Sequence, residues 1–115
     1  MYDLEERTLN MAFAVRLFVK LIPKTVSNFE DAKQLVRSSG SVGANYIEAN
    51  EAISRKDFVL RIKISRKEAR ESIYWLKIIL HSNELDPSVY SNCEELIKEF
   101  TELKKILSAI INKSS

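Results

Sequence analysis

A chain of 115 residues with 45% hydrophobic and 30% charged side chains has the length and composition of one globular domain, and lies far from the disordered and membrane classes. Eighteen basic residues against sixteen acidic ones leave a formal net charge of only +2, so no strongly polyanionic partner is dictated by charge alone. Two glycines and two prolines are too few to punctuate a many-stranded sheet, which points to long helices. The most apolar run, Met11 to Ile22, is interrupted by Arg16 and Lys20 and is too short and too charged for a membrane span. Asp3, Glu5 and Glu6 follow Met1 where a secretory leader would carry basic residues. Cys93 is the single cysteine, so no internal disulfide is expected, and a reducing cytoplasmic location fits.

Four helical periodicities follow in order. Leu4, Thr8, Met11, Val15, Phe18 and Ile22 alternate steps of four and three, and Pro23 ends the first helix. Ser27-Asn28-Phe29-Glu30 has the form of a capping box opening the second. Its expected seam is Ala32, Leu35, Ser39, Val42 or Gly43, Tyr46 and Ile53, with Gly40 and Gly43 read together as places where a neighbour approaches closely. Each glycine costs a helix about 1 kcal/mol against alanine.

Ser54 caps the third helix, with Asp57 in its first turn. Phe58, Ile62, Ser65, Ala69, Ser72, Leu76 and Ile79 carry its rhythm to Ser82, a length of roughly 40 Å. Asp86 and Pro87 open the fourth, whose seam is Val89, Cys93, Leu96 or Ile97, Phe100, Leu103, Leu107 and Ile110, with a frayed tail from Asn112 to Ser115. Short connections favour antiparallel neighbours, so the expected fold is an all-α, up-down-up-down four-helix bundle occupying residues 1–115 as a single domain.

Two surfaces exceed what a plain bundle needs. Leu60, Ile64, Trp75 and Ile78 form a second apolar line on the third helix, and on the first helix Leu9, Ala12, Phe13, Ala14, Leu17 and Leu21 widen the apolar arc well past the core seam. Helices apolar on two sides are buried on two sides, so Leu60, Ile64, Trp75 and Ile78 with Phe13 and Leu17 are the expected contacts of a homo-oligomer, the competing reading being cover by loops or termini. From Ser54 to Asn83, eight basic residues face three acidic ones. Lys56, Lys63, Lys67, Arg70 and Lys77 project opposite the core with Tyr74 among them, and Arg66 joins them from the same helix. Such a stripe is the electrostatic footprint of an RNA or DNA backbone, with one aromatic for stacking; a plain solvated face competes with it. On the second helix Arg37, Ser41, Asn45 and Glu48 share a polar line, read as an inter-subunit network or a ligand contact against a solvated face.

Chemistry has few footholds. Glu48 with Glu51 and Glu68 with Glu71 are pairs three residues apart, the general form of a magnesium-dependent nucleotide pyrophosphohydrolase, but all four project away from the core seams. His81 has no second histidine to share a metal, and Ser38 to Gly43 lacks the lysine of a phosphate loop. The reading is a non-enzymatic protein with no catalytic residue, no metal and no cofactor. Its expected partners are copies of itself and nucleic acid, with no membrane and no small-molecule substrate. A protein-interaction scaffold is the alternative.

The runs Arg37-Ser38-Ser39-Gly40-Ser41-Val42-Gly43-Ala44-Asn45-Tyr46-Ile47-Glu48-Ala49-Asn50-Glu51-Ala52, Asp57-Phe58 and Lys67-Glu68-Ala69-Arg70-Glu71-Ser72-Ile73-Tyr74-Trp75-Leu76 resemble the bacterial 23S rRNA-intervening sequence protein family over nearly the whole chain. The resemblance implies a small cytoplasmic four-helix bundle that closes into a five-membered ring, a homopentamer. The same fold is shared by the accessory variability protein of diversity-generating retroelements, a similar ring that binds nucleic acid through basic surfaces. The family pattern touches Arg37, Ser41, Asn45, Glu48, Glu68, Glu71 and Ser72. Ala49 departs from it, because the commonest pattern has glycine there.

Overall fold

The computed structural model describes residues 3–114. They form four helices, α1 (Leu4–Val19), α2 (Val26–Asn50), α3 (Arg55–Ser82) and α4 (Pro87–Ser114), and no strand among the described residues. Side-chain contacts between opposite ends fix the directions. Asn50 near the end of α2 donates to Glu5 at the start of α1, Asn28 at the start of α2 pairs with Asn83 beyond the end of α3, and Arg55 at the start of α3 reaches Ser114 at the end of α4. The helices therefore alternate in direction around an elongated body of 46 × 24 × 20 Å. Each packs on the next in sequence, α1 closes against α4, and α1 and α3 stand diagonally across the shared core.

Start signals explain most boundaries. Asp3 accepts from the Glu6 amide at 3.1 Å, and Ser54 accepts from the Asp57 amide at 3.0 Å, as its position predicted. Pro87 opens α4 where its missing N–H costs nothing. The cap of α2 differs from expectation. Thr25, in extended conformation, accepts from the Asn28 amide at 3.1 Å, so the helix begins before the Ser27 box. Asn28 is thereby freed for a structural role: its amide donates to Pro23 O at 2.9 Å and to Asn83 Oδ1 at 2.8 Å, while Asn83 returns a bond at 2.9 Å. This buried amide pair ties the α1–α2 turn to the end of α3. Asn28→Ala removes the three side-chain bonds of Asn28 and leaves Asn83 Oδ1 without its donor, while Pro23 O keeps the Thr25 amide and the Asn83 amide keeps Ile79 O; it is expected to lower unfolding free energy by about 1–2 kcal/mol in urea denaturation.

The seams hold with local changes. Phe18, Leu35, Ile62, Leu76, Ile79, Phe100, Leu103 and Leu107 are fully buried in one cluster. Ile53 is 97% exposed, because α2 ends at Asn50 and the residue sits in the connection; Ala49 fills the core there instead. Ile111 rather than Ile110 closes the α4 seam. Helix α1 stops at Val19, short of Ile22, which stays buried from the turn. Asn112 to Ser114 continue α4 rather than fraying, and Ser115 lies outside the described residues.

Cys93 is fully buried, and its thiol points at Leu76 O at 3.5 Å. Burial, and then the Glu94 carboxylate, push its pKa up to about 12. The thiol is expected to resist modification at neutral pH in the native state and to react fully in denaturant, as a thiol-titration assay reads directly. The unfolded chain's thiol ionises at lower pH than the folded one. Stability is therefore expected to be intact below the ordinary thiol pKa and to fall as pH rises from there towards about 12.

Candidate nucleic-acid interface

The outer face of α3 carries Lys56, Lys63, Lys67, Arg70 and Lys77, all exposed. Their spacing keeps them on one side of the helix over roughly 30 Å. Tyr74 stands among them 59% exposed, braced edge-on by Trp75 with ring centroids 5.1 Å apart. Lys67 Nζ lies 3.9 Å from Glu68 Oε2, a long contact for an otherwise exposed ammonium. Arg66 departs from the expected set. It is half-buried and donates to Ser108 Oγ at 3.2 Å, so it turns towards α4 and braces the α3–α4 pair.

The family-type polar residues separate into two groups. Arg37, Glu68, Glu71 and Ser72 meet across the α2–α3 seam. Arg37 Nη2 donates to Glu71 Oε1 at 2.9 Å and lies 3.1 Å from Glu68 Oε1, where its N–H is not aligned for a hydrogen bond. Glu68 is buried, contrary to its expected outward projection, because the Arg37 guanidinium and the close serines draw α2 over it. Ser72 pairs with Ser38 at 2.8 Å and donates to Glu68 O at 3.0 Å. Ser41 and Asn45, by contrast, bond backward to their own helix, at Arg37 O and Ser41 O, and Glu48 is exposed. Within the chain, the expected polar line on α2 is a set of separate local bonds.

The four-carboxylate arrangement of a magnesium enzyme does not form. Glu68 and Glu71 face Arg37 while Glu48 and Glu51 lie exposed on or just beyond the last turn of α2, and no group of three or more His, Cys, Asp or Glu among the described residues is placed to hold a metal.

The expected oligomer contacts also divide. Ile64, Trp75 and Ile78 are half-buried within the chain, and Trp75 packs against the core. Leu60 is exposed. Phe13 and Leu17 are exposed as expected, as are Leu9 and Leu21 of the same over-wide arc, and the structure adds Val26 and Phe29 across the turn. Below them a groove of about 780 Å³ runs between Val19, Ile22, Pro23, Phe29, Ala32 and Val36. The unpartnered apolar surface thus lies mainly on α1 and the start of α2, and no reading of α3 periodicity would have found it.

A family model described as 23S rRNA-intervening sequence protein matches residues 3–109. The chain belongs to this family. A solved structure of a protein with unknown function from the S23 ribosomal protein family of Bacteroides thetaiotaomicron is similar at 33% identity, with a TM-score of 0.80 over 93% of this chain and 96% of that one. No curated protein matches the chain. The four-helix fold of this 23S rRNA-intervening sequence family member is thus shared with a solved relative, and no helix among its described residues is long and apolar enough to cross a membrane.

Proposed function

We propose that this protein is a non-enzymatic, self-assembling helical bundle that binds RNA or DNA through the α3 stripe. The observation that carries the reading is the exposure of Lys56, Lys63, Lys67, Arg70 and Lys77 on one face with an accessible Tyr74 among them. Five cations along roughly 30 Å match phosphates on a nucleic-acid backbone, and displacing their counterions drives association without base readout. Assembly into a closed ring would multiply the local positive field, since every copy adds a stripe. The family resemblance supports that assembly, and the α1 apolar surface supports burial against a further chain.

The test is titration of a fluorescent RNA hairpin and a DNA duplex across a salt series, after nuclease treatment of the protein. Binding whose logarithm falls linearly with the logarithm of salt supports the reading. Absence of binding at low salt defeats it and favours the second reading, a protein-interaction scaffold, for which the apolar groove beside Phe29 is the supporting observation.

A further inference from the structure

The basic face of α3 carries apolar surface for which a duplex backbone has no use. At 100° per residue, Lys56, Leu60, Lys63, Lys67, Arg70 and Tyr74 fall within an arc of about 80°. The helix's carboxylates lie outside that arc, and the nearest of them, Glu71, is held by Arg37 at 2.9 Å. Leu60 and Tyr74 are both more than half exposed, at 53% and 59%. They stand fourteen residues apart, which is about 21 Å along the helix, with Lys63, Lys67 and Arg70 between them.

Each of the two is set in place by its neighbours. Trp75 meets Tyr74 edge-on, at 78° between the ring planes, and itself packs against the core, so at least one face of the Tyr74 ring stays open. Leu60 and the half-buried Val59 line a hollow of about 570 Å³ beside Arg55, Lys56 and Lys63, with Ser114 at its edge. Arg55 donates to Ser114 O at 3.5 Å, while Lys56 and Lys63 are exposed.

A duplex offers phosphates to the cations but keeps its base faces stacked inside. A single strand offers both, phosphates for the cations and flat base faces for aromatic and apolar surfaces. A protein partner suits the hollow less well, because interface cores are depleted of charge and three cations surround Leu60. We propose that the α3 face takes a single strand of nucleic acid in preference to a duplex, with one base stacked on Tyr74, another in the Leu60 hollow, and the phosphates between them on Lys63, Lys67 and Arg70. The inference rests on the nucleic-acid binding proposed above and names the form of nucleic acid that is bound. The 21 Å separation corresponds to roughly six nucleotides at the 3.4 Å spacing of a stacked strand, and to fewer when the strand is drawn out. RNA and DNA strands serve alike, since the contacts are to phosphates and base faces.

Fluorescence anisotropy of the full chain at low salt tests it, with an unstructured RNA strand of about twelve nucleotides, the equivalent DNA strand and a stable hairpin duplex as probes. Both strands are expected to bind about tenfold more tightly than the duplex. A strand of about three nucleotides falls short of spanning both positions and should lose most of that gain. Tyr74→Ala is expected to weaken strand binding about tenfold and Leu60→Ser about threefold, with duplex affinity held within about twofold. Both are surface positions, so circular dichroism and native mass should match the parent chain. Duplex binding as tight as strand binding, or variants that weaken both equally, would overturn the preference and leave binding through the stripe standing. No binding of any probe would defeat the stripe itself, and the preference with it. Loss of self-assembly in Leu60→Ser would place Leu60 in a protein interface and overturn its role here.

Discussion

Gly43→Ala is expected to destabilise the bundle by roughly 2 kcal/mol, although alanine is the better helix former by about 1 kcal/mol. A Cβ at this position would stand 2.7 Å from Thr8 Oγ1 and 3.1 Å from Thr8 Cβ. Thr8 cannot turn away cheaply. It is buried, and its hydroxyl donates to Leu4 O at 2.6 Å. The helices must separate, and the contacts of α1 loosen with them. Gly40→Ala is the control, because its Cβ would meet only Arg16 Nη2 at an ordinary 3.6 Å. That variant should be neutral or more stable by up to about 1 kcal/mol. Adding Thr8→Ala to Gly43→Ala removes the hydroxyl and should recover most of the loss, leaving the 3.1 Å contact to relax by a few tenths of an ångström. Urea unfolding of the four chains closes the cycle, and additivity of the two single changes would count against a direct contact.

Replacing Lys63, Lys67 and Arg70 together by alanine is expected to reduce the salt slope of duplex binding by about 2.7 and to lower affinity a hundredfold or more at low salt. The magnitude follows from three phosphate contacts at about 0.9 counterions each. None of the three makes a close contact in the fold. Lys63 and Arg70 are exposed, and Lys67 has only the 3.9 Å approach to Glu68. Thermal stability should therefore be nearly unchanged, which separates lost binding from lost structure. Tyr74→Ala should cost single-stranded RNA about 1–3 kcal/mol through lost stacking and leave the salt slope as it was. An unchanged slope in the triple variant would remove α3 as the binding face.

Features confined to a single helix are legible in the amino-acid order. The four-three rhythm of Ile62, Ser65, Ala69, Ser72, Leu76 and Ile79 marks the buried side of α3, because side chains three and four apart share a face. Ser54 and Pro87 mark helix starts through local bonding and geometry. The outward placement of Lys56, Lys63, Lys67, Arg70 and Lys77 follows from the same projection.

Periodicity names a face but not what covers it, and the differences all arise there. Ile64, Trp75 and Ile78 project as a free line, yet all three are half-buried within the chain and Trp75 packs against the core. Gly40 and Gly43 have equivalent patterns, yet only one faces Thr8 across the α1–α2 crossing. Glu68 projects as a solvated residue, and Arg37 reaching over from α2 makes its burial tolerable by supplying charge within 3.1 Å. The short α1 has α2 on one side and a slight contact with α4 on the other, so its outer stripe of Leu9, Phe13 and Leu17 stays uncovered. The sequence by itself determined the helices, their seams and their charged faces, since those depend on neighbours within a turn or two. Only the tertiary structure decided which second faces are sealed inside the bundle and which remain open, because that depends on the lengths and crossings of helices far apart in the chain.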